Sequence, residues 1–263
     1  MNALATASGT TAFPVAERSC KVLFNRQVNR RYKLIALEAA EPFTRARAGQ
    51  FFHLLCPQQA GLKPFLRRPM SVYGVRPAER RVEFLYQVTG SGTQSLGLLE
   101  AGDALNAVGP LGNGFSFDPS WNRVLVVARG VGMATLAPLV PLAGGESGGA
   151  AMSVVLSARE PDDLMRREFE QDAAISVHAL FDSDGSSAVE SVEALLRRLI
   201  ASERPDMMYT CGSSRLLKLL QRLGREFGIP GEAALEQQMA CAFGVCLCCV
   251  REFEVAGDRK SVV

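Results

Sequence analysis

Between residues 15 and 115 the apolar positions come in short runs: KVLFNRQV, YKLIALEA, QFFHLLC, SVYGV and VEFLYQV. Each carries β-branched or aromatic residues and ends at a Pro, Gly or Arg-rich break, which is the pattern of strands. With no long amphipathic helix between them, the runs predict a small antiparallel barrel. At Trp121 the pattern changes. RVLVVA is a continuous apolar run, as a strand buried on both faces of a parallel sheet requires. A glycine turn follows, then a helical ATLAPLVPLA, strand AMSVVLSA, helix DDLMRREFEQ, strand ISVHALF and helix SVEALLRRLIA. Strand DMMYTC and helix SRLLKLLQRLGREFG close the series. Alternating strands and helices predict an open parallel α/β sheet. From about 226 the pattern stops and a cysteine-rich tail begins. The expected division is 15–117, 118–228 and 229–263.

The length of 263 residues suffices for two domains with real cores. Lys+Arg 29 against Asp+Glu 27 leaves no basic excess for a nucleic-acid footprint. No apolar run reaches the roughly 18–20 residues of a spanning helix, and the N-terminal MNALATASGTTAFP lacks a basic segment followed by an apolar one. A soluble, cytoplasmic globular protein is expected. Seven cysteines, an odd number without a secretory signal, argue against a disulfide framework.

Several segments carry candidate chemistry, each with a plainer alternative. In Arg67-Arg68-Pro69-Met70-Ser71-Val72-Tyr73 an arginine fixed by the following proline, with a hydroxyl three residues on, can hold a phosphate and a ring edge; otherwise it is a solvent-facing basic turn. In Thr89-Gly90-Ser91-Gly92-Thr93 the glycines let backbone N–H groups approach a diphosphate and Thr93 can cap the helix that follows; otherwise it is a Gly-rich hairpin exit. Gly109-Pro110-Leu111-Gly112-Asn113-Gly114 reads as a hinge between the halves. Gly130-Val131-Gly132 and Cys211-Gly212-Ser213-Ser214 both follow parallel strands, at the sheet edge where ligands bind. Two such small-residue loops make a crevice for a flat dinucleotide. Cys211 either meets a nicotinamide ring there or is a buried strand-end thiol. His53 and His178 sit inside strands, as structural histidines do. Phe181-Asp182-Ser183-Asp184-Gly185-Ser186 lacks the terminal Glu of a calcium loop and reads as a solvated turn.

The most specific spacing is Cys241-x4-Cys246-x2-Cys249, that of plant-type [2Fe–2S] centres. Gly244 inside it permits the loop to wrap closely. A zinc site would favour paired Cys-x2-Cys knuckles, and inert thiols are the third reading. Cys248 adjoins Cys249, and neighbouring side chains in an extended loop point apart, so it reads as a poor fourth ligand. Asp258 or another tail carboxylate could bind iron through oxygen, a less usual arrangement, and a fourth ligand beyond Val263 is the expectation.

Taken in order, RRPMSVY, GSGTQSL, GPLGNGF, ARGVGMATLAPL, YTCGSSRLLK and EQQMACAFGVCLCC resemble the motifs of the electron-transfer subunit of NAD-dependent dihydroorotate dehydrogenase, within the ferredoxin–NADP reductase superfamily. The resemblance implies a flavin-binding β-barrel, a nicotinamide-binding α/β domain and a cluster-bearing tail. It implies FAD on Arg68, Pro69, Met70, Ser71 and Val72, with its diphosphate at Gly92 and Thr93. NAD(H) would lie at Gly130, Gly132 and Gly212, with Cys211 at the reacting ring, and the [2Fe–2S] cluster on Cys241, Cys246 and Cys249. The implied partner is the FMN-containing catalytic subunit that oxidises dihydroorotate in pyrimidine biosynthesis. Alternatives are a diaphorase subunit serving a hydrogenase or ferredoxin, and a degenerate flavin- or metal-binding module. The chain departs from the family pattern at Arg129, at Ala134-Thr135, at Ser213-Ser214, at Ala242 and in the absent fourth cysteine. Arg159, ending the second parallel strand, reaches either a 2′-phosphate or only solvent, so NAD and NADP both stay open.

Overall fold

The structure, a computed structural model, describes residues 15–143, 149–170, 172–255 and 258–262. The N-terminal segment 1–14, read above as lacking a secretory signal, lies outside them. The first half forms β1 (Ala16–Gln27), β2 (Tyr32–Glu38), β3 (Phe51–Leu54), β4 (Arg68–Ser71), β5 (Gly74–Arg76), β6 (Arg81–Gln87), α1 (Ser91–Gly97) and β7 (Ala104–Leu111). These strands make one seven-stranded antiparallel sheet in the order β4-β3-β7-β1-β2-β6-β5. Its two edges, β4 and β5, are consecutive in sequence, so the sheet curls on itself around Ile35, Phe43, Phe52 and Phe84.

The second half forms β8 (Arg123–Arg129), α2 (Gly132–Leu136), β9 (Ala151–Ala158), β10 (Ile175–Phe181), α3 (Val189–Glu203), β11 (Met207–Cys211), α4 (Ser214–Phe227) and β12 (Gly231–Ala234). Its five strands run parallel in the order β10-β9-β8-β11-β12. Leucines at helical spacing on α3 and α4 pack on one face. On the other face, α2 and the turns after it cover Val126, Val154 and Tyr209. The tail ends in a hairpin of β13 (Arg251–Val255) and β14 (Asp258–Val262).

Three local expectations are corrected. DDLMRREFEQ forms two short 3-10 turns, Pro161–Asp163 and Arg166–Phe169, instead of an α-helix. Leu164 between them is extended, because Asp163 is drawn across to the barrel. Gly109 and Pro110, read as hinge, belong to β7. A β-carbon at Gly109 would collide with the Phe52 ring, so this glycine serves close packing and not a turn. The parallel sheet also gains β12 after residue 226, where the sequence pattern had ended.

The two halves share a core. Tyr32, Leu34, Tyr73 and Leu85 of the barrel pack in the cluster built around β8 and β9. Arg30 Nε and Arg31 Nε, in the β1–β2 turn, each donate to the carboxylate of Asp163 at 2.9 Å. Asn29 Oδ1 accepts the N–H groups of Arg31 and Tyr32 at 2.9 Å and so shapes that turn. Asp163 is almost wholly buried. Burial alone would raise its carboxyl, but the two arginines outweigh it and hold the group below the usual carboxylate range.

Asp163→Ala is therefore expected to cost about 1.5–3 kcal/mol, the range for charge-assisted hydrogen bonds, read from the urea midpoint. The wild-type advantage is fully present above the ordinary aspartate pKa of about 4 and is lost as pH falls through the lower folded value. The two unfolding curves should converge only in acid.

Candidate functional site

A cleft of about 620 Å³ opens between the two sheets. From the barrel it is lined by Pro69, Met70 and Ser71 of β4 and by Tyr86 and Gln87 of β6. From the parallel sheet come Val131, Thr135 and Cys211, and from the tail Glu236, Met239 and Cys249. Residues singled out on three separate stretches of sequence thus reach one space. Val72 does not; it is fully buried in the barrel core and anchors the strand.

The parallel-sheet wall is built by backbone approaching backbone. A β-carbon on Gly132 would lie 2.5 Å from the Cys211 carbonyl, and one on Gly212, at φ +96°, would collide with the Arg129 carbonyl oxygen. Only glycine fits either place. Gly130, at φ +56°, turns the chain between β8 and α2. Arg129 is not part of the cleft lining: its Nη2 donates to Asp182 Oδ2 at 2.7 Å and its Nη1 bonds Ser157 Oγ.

At the barrel end the Arg68 guanidinium lies over the first turn of α1. A β-carbon on Gly92 would be 2.6 Å from Arg68 Nε, so Gly92 makes room for the arginine. Thr93 closes its own turn: its Oγ1 accepts the N–H of Thr89 at 2.8 Å and of Gly90 at 3.2 Å, and donates to the Gly90 carbonyl. Its hydroxyl is thereby committed to shaping the loop.

The parallel-sheet wall of the cleft carries a neutral thiol, while Glu236 and Arg251 line it from the tail. Burial pushes the Cys211 thiol up to about 11, with the Thr135 hydroxyl hydrogen-bonded to it, so the sulfur stays protonated near neutral pH. Glu236 is raised by desolvation in the cleft, although the residue as a whole is exposed. Thr135 and Glu236 were not singled out as site residues. Their one sequence signal was position, beside the glycine loop and before the cysteines. His53, pushed down to about 4 by burial, is neutral, and Nε2 of both His53 and His178 lacks a partner.

In the tail, Cys241, Cys246, Cys248 and Cys249 lie on one loop whose left-handed residues are Ala242, Gly244 and Leu247. The Cys248 backbone N–H, the Cys241 thiol and N–H, and the Cys248 thiol converge on the Cys246 sulfur and hold its pKa down to about 6. The Phe243 N–H donates to Cys241 Sγ at 3.4 Å. The Cys248 thiol donates to the Gln238 carbonyl at 3.6 Å. Among the described residues no three His, Cys, Asp or Glu side chains are already arranged as a metal-ligand group. The donor chemistry nonetheless fits a thiophilic centre: soft sulfurs, N–H groups aimed at them and a lowered thiol pKa. Such sets commonly close only on the metal.

No protein-family model matches the chain. It is 34% identical over 203 residues to the dihydroorotate dehydrogenase B (NAD(+)) electron transfer subunit of Desulforamulus reducens, covering 76% of this chain and 75% of that protein. The protein of the same name from Streptococcus pneumoniae is 31% identical over 208 residues, covering 78% and 79%. Among solved structures, that of an NADH-dependent reduced ferredoxin-NADP oxidoreductase, described for flavin-based electron bifurcation, superposes with a TM-score of 0.73 at 26% identity. It covers 92% of this chain and 84% of that one.

The glycine wall yields a contrast. Gly212→Ala is expected to lose about 2–3 kcal/mol in thermal or urea unfolding. Gly90→Ala, with open space around it and extended backbone, should cost less than about 1 kcal/mol.

Proposed function

The chain belongs to the family of dihydroorotate dehydrogenase B electron transfer subunits, and from that membership we propose that it passes electrons between NAD(H) and a partner flavoenzyme through FAD and a [2Fe–2S] cluster. The observation that carries this reading is the shared cleft, on which Met70 and Ser71, Cys211 and Cys249 all open. A flavin strand, a nicotinamide loop and a cluster ligand are the three things an electron relay must bring together. On this reading FAD occupies residues 15–117, nicotinamide 118–228 and the cluster 229–263, with β12 stitching the last segment to the parallel sheet.

FAD, when bound, converts between the two-electron hydride chemistry of nicotinamide and the one-electron chemistry of a cluster. The chain's own residues position and insulate. Pro69, Met70 and Ser71 face the cleft from an edge strand locked to β3, and Arg68 with Gly92 offers a cationic corner for a diphosphate. Gly130, Gly132 and Gly212 let a dinucleotide lie close to the backbone. Cys211 presents a neutral sulfur at the nicotinamide edge, backed by Thr135. No general acid or base is required for hydride transfer, and the Cys211 thiol beside the nicotinamide loop stays protonated. Cys241, Cys246 and Cys249 would hold the cluster on the tail loop.

The partner proposed is the FMN-containing catalytic subunit that oxidises dihydroorotate, which places the protein in pyrimidine biosynthesis. Seven unpaired cysteines suit the reducing cytoplasm, and no helix among the described residues is long and apolar enough to cross a membrane. The likeness to the ferredoxin-NADP oxidoreductase favours one second reading, a reductase module of the same architecture serving a ferredoxin-type carrier.

An anaerobic visible spectrum before and after NADH tests the proposal. Flavin bands and a broad iron–sulfur shoulder, both bleached by NADH, are expected. Cys246→Ser should remove the shoulder and spare the flavin bands. A protein that stays colourless after reconstitution with FAD, iron and sulfide would overturn the reading. Adding the catalytic subunit should then give dihydroorotate-dependent NAD reduction; its absence alongside ferredoxin reduction would favour the second reading.

A further inference from the structure

The connection between β3 and β4 carries apolar side chains into solvent. Phe65 is 90% exposed, the most exposed large apolar residue among those described, while Phe43, Phe52 and Phe84 of the same barrel are fully buried. Leu55 and Leu66, near the same strand end, are also exposed. A phenyl ring held in water forgoes the roughly 2–3 kcal/mol its burial would supply, so the position calls for a partner.

The segment is not loosely attached. The Leu62 N–H donates to the Gln59 carbonyl at 2.9 Å, and Gln59 Nε2 donates to the Ser95 carbonyl of α1 at 2.9 Å. Arg67 Nη2 pairs with Glu17 at 2.6 Å. The Arg68 guanidinium donates to the Leu66 carbonyl while lying over Gly92. Phe65 is therefore tied, one residue away, to the group proposed to meet the flavin diphosphate. Three residues of chain span at most about 10 Å, so the two side chains spring from backbone within that distance, about the reach from a diphosphate across one ribose to an adenine. Lys63, Arg67 and Arg68 make the surrounding sequence basic, the sign a diphosphate attracts.

In FAD the adenine ring is one ribose away from the diphosphate. We infer that Phe65, next in sequence to the exposed Leu66, is the platform on which that adenine stacks when Arg68 and the first turn of α1 hold the diphosphate. This rests on the flavin reading above and extends it from the isoalloxazine to the adenosine half of the cofactor. The platform supplies a π-face and apolar edges, which any purine accepts and which FMN, lacking adenine, cannot use.

The full chain, stripped of flavin, is titrated calorimetrically with FAD and, separately, with FMN. Wild type should bind FAD more tightly. Phe65→Ala should weaken FAD by roughly 5- to 100-fold, the range of base–aromatic stacking, and leave FMN within about twofold. Phe65→Trp should restore FAD affinity, and the exposed position leaves folding intact, checked by circular dichroism. An unchanged FAD-to-FMN ratio in Phe65→Ala, or equal affinities in wild type, overturns the platform while the flavin reading stands. Weaker association with the catalytic subunit at an unchanged ratio would make Phe65 a protein contact and also overturn it. A folded wild type that binds neither flavin brings down the flavin reading and this inference with it.

Discussion

The cleft depends on how the barrel is held against the parallel sheet, through a shared apolar core and one buried carboxylate. Each residue assigned to the site stands on the barrel, on the parallel sheet or on the tail attached to that sheet, and Asp163 ties the two sheets together through Arg30 and Arg31. Desolvation falls on Asp163, whose side chain is 3% exposed, while Arg30 keeps half its surface in water. Two cations on one carboxylate offset that cost better than one would. The arginines are presented by a turn that Asn29 shapes with its own side chain, and Tyr32, next in the chain, enters the shared core. Across the resulting cleft, Pro69, Met70 and Ser71 of the edge strand β4 share one space with Val131, after β8, and Cys211, at the end of β11.

Within that cleft the Cys211 thiol stays neutral and Met70 brings a thioether, while Glu236 and Arg251 put a carboxyl and a guanidinium on the tail wall. Arg68, over α1, and Arg129, bound to Asp182, are not part of the lining. Arg129 departs from the family pattern without filling the cleft, because Ser157 and Asp182 on neighbouring strands take its guanidinium.

The sequence made the architecture legible where periodicity is a local property. Strands β1, β2, β3 and β6 follow from short runs with β-branched or aromatic residues, β8 and β9 from continuous apolar runs, and α3 and α4 from leucines at helical spacing. The failures share a cause: the deciding interaction lay far away in sequence. Met165 and Phe169 have helical spacing and are buried, yet the chain around Leu164 extends because Asp163 answers to arginines more than 130 residues away. Gly109 looked like a turn because the ring that excludes a side chain there belongs to Phe52. For the site, the glycine loops and the RPMS strand were readable as motifs. Thr135 and Glu236 were not, since their role comes only from what the fold sets opposite them.

The cysteine loop joins both kinds of information. Its spacing announces sulfur chemistry, but its geometry is costly in ways composition does not reveal. Ala242 and Leu247 are left-handed at φ +61° and +57°, each at a cost of about 1–2 kcal/mol for a residue with a side chain. Only Gly244 adopts such a conformation freely. Packing does not offset this, because Phe243, Val245 and Leu247 all project into solvent. What holds the loop in this shape is the convergence of N–H groups and thiols on the Cys246 sulfur. A segment that is strained in backbone, bare in packing and organised around sulfur follows the logic of metal-completed folding, in which the ligand bonds supply the stability that a core supplies elsewhere.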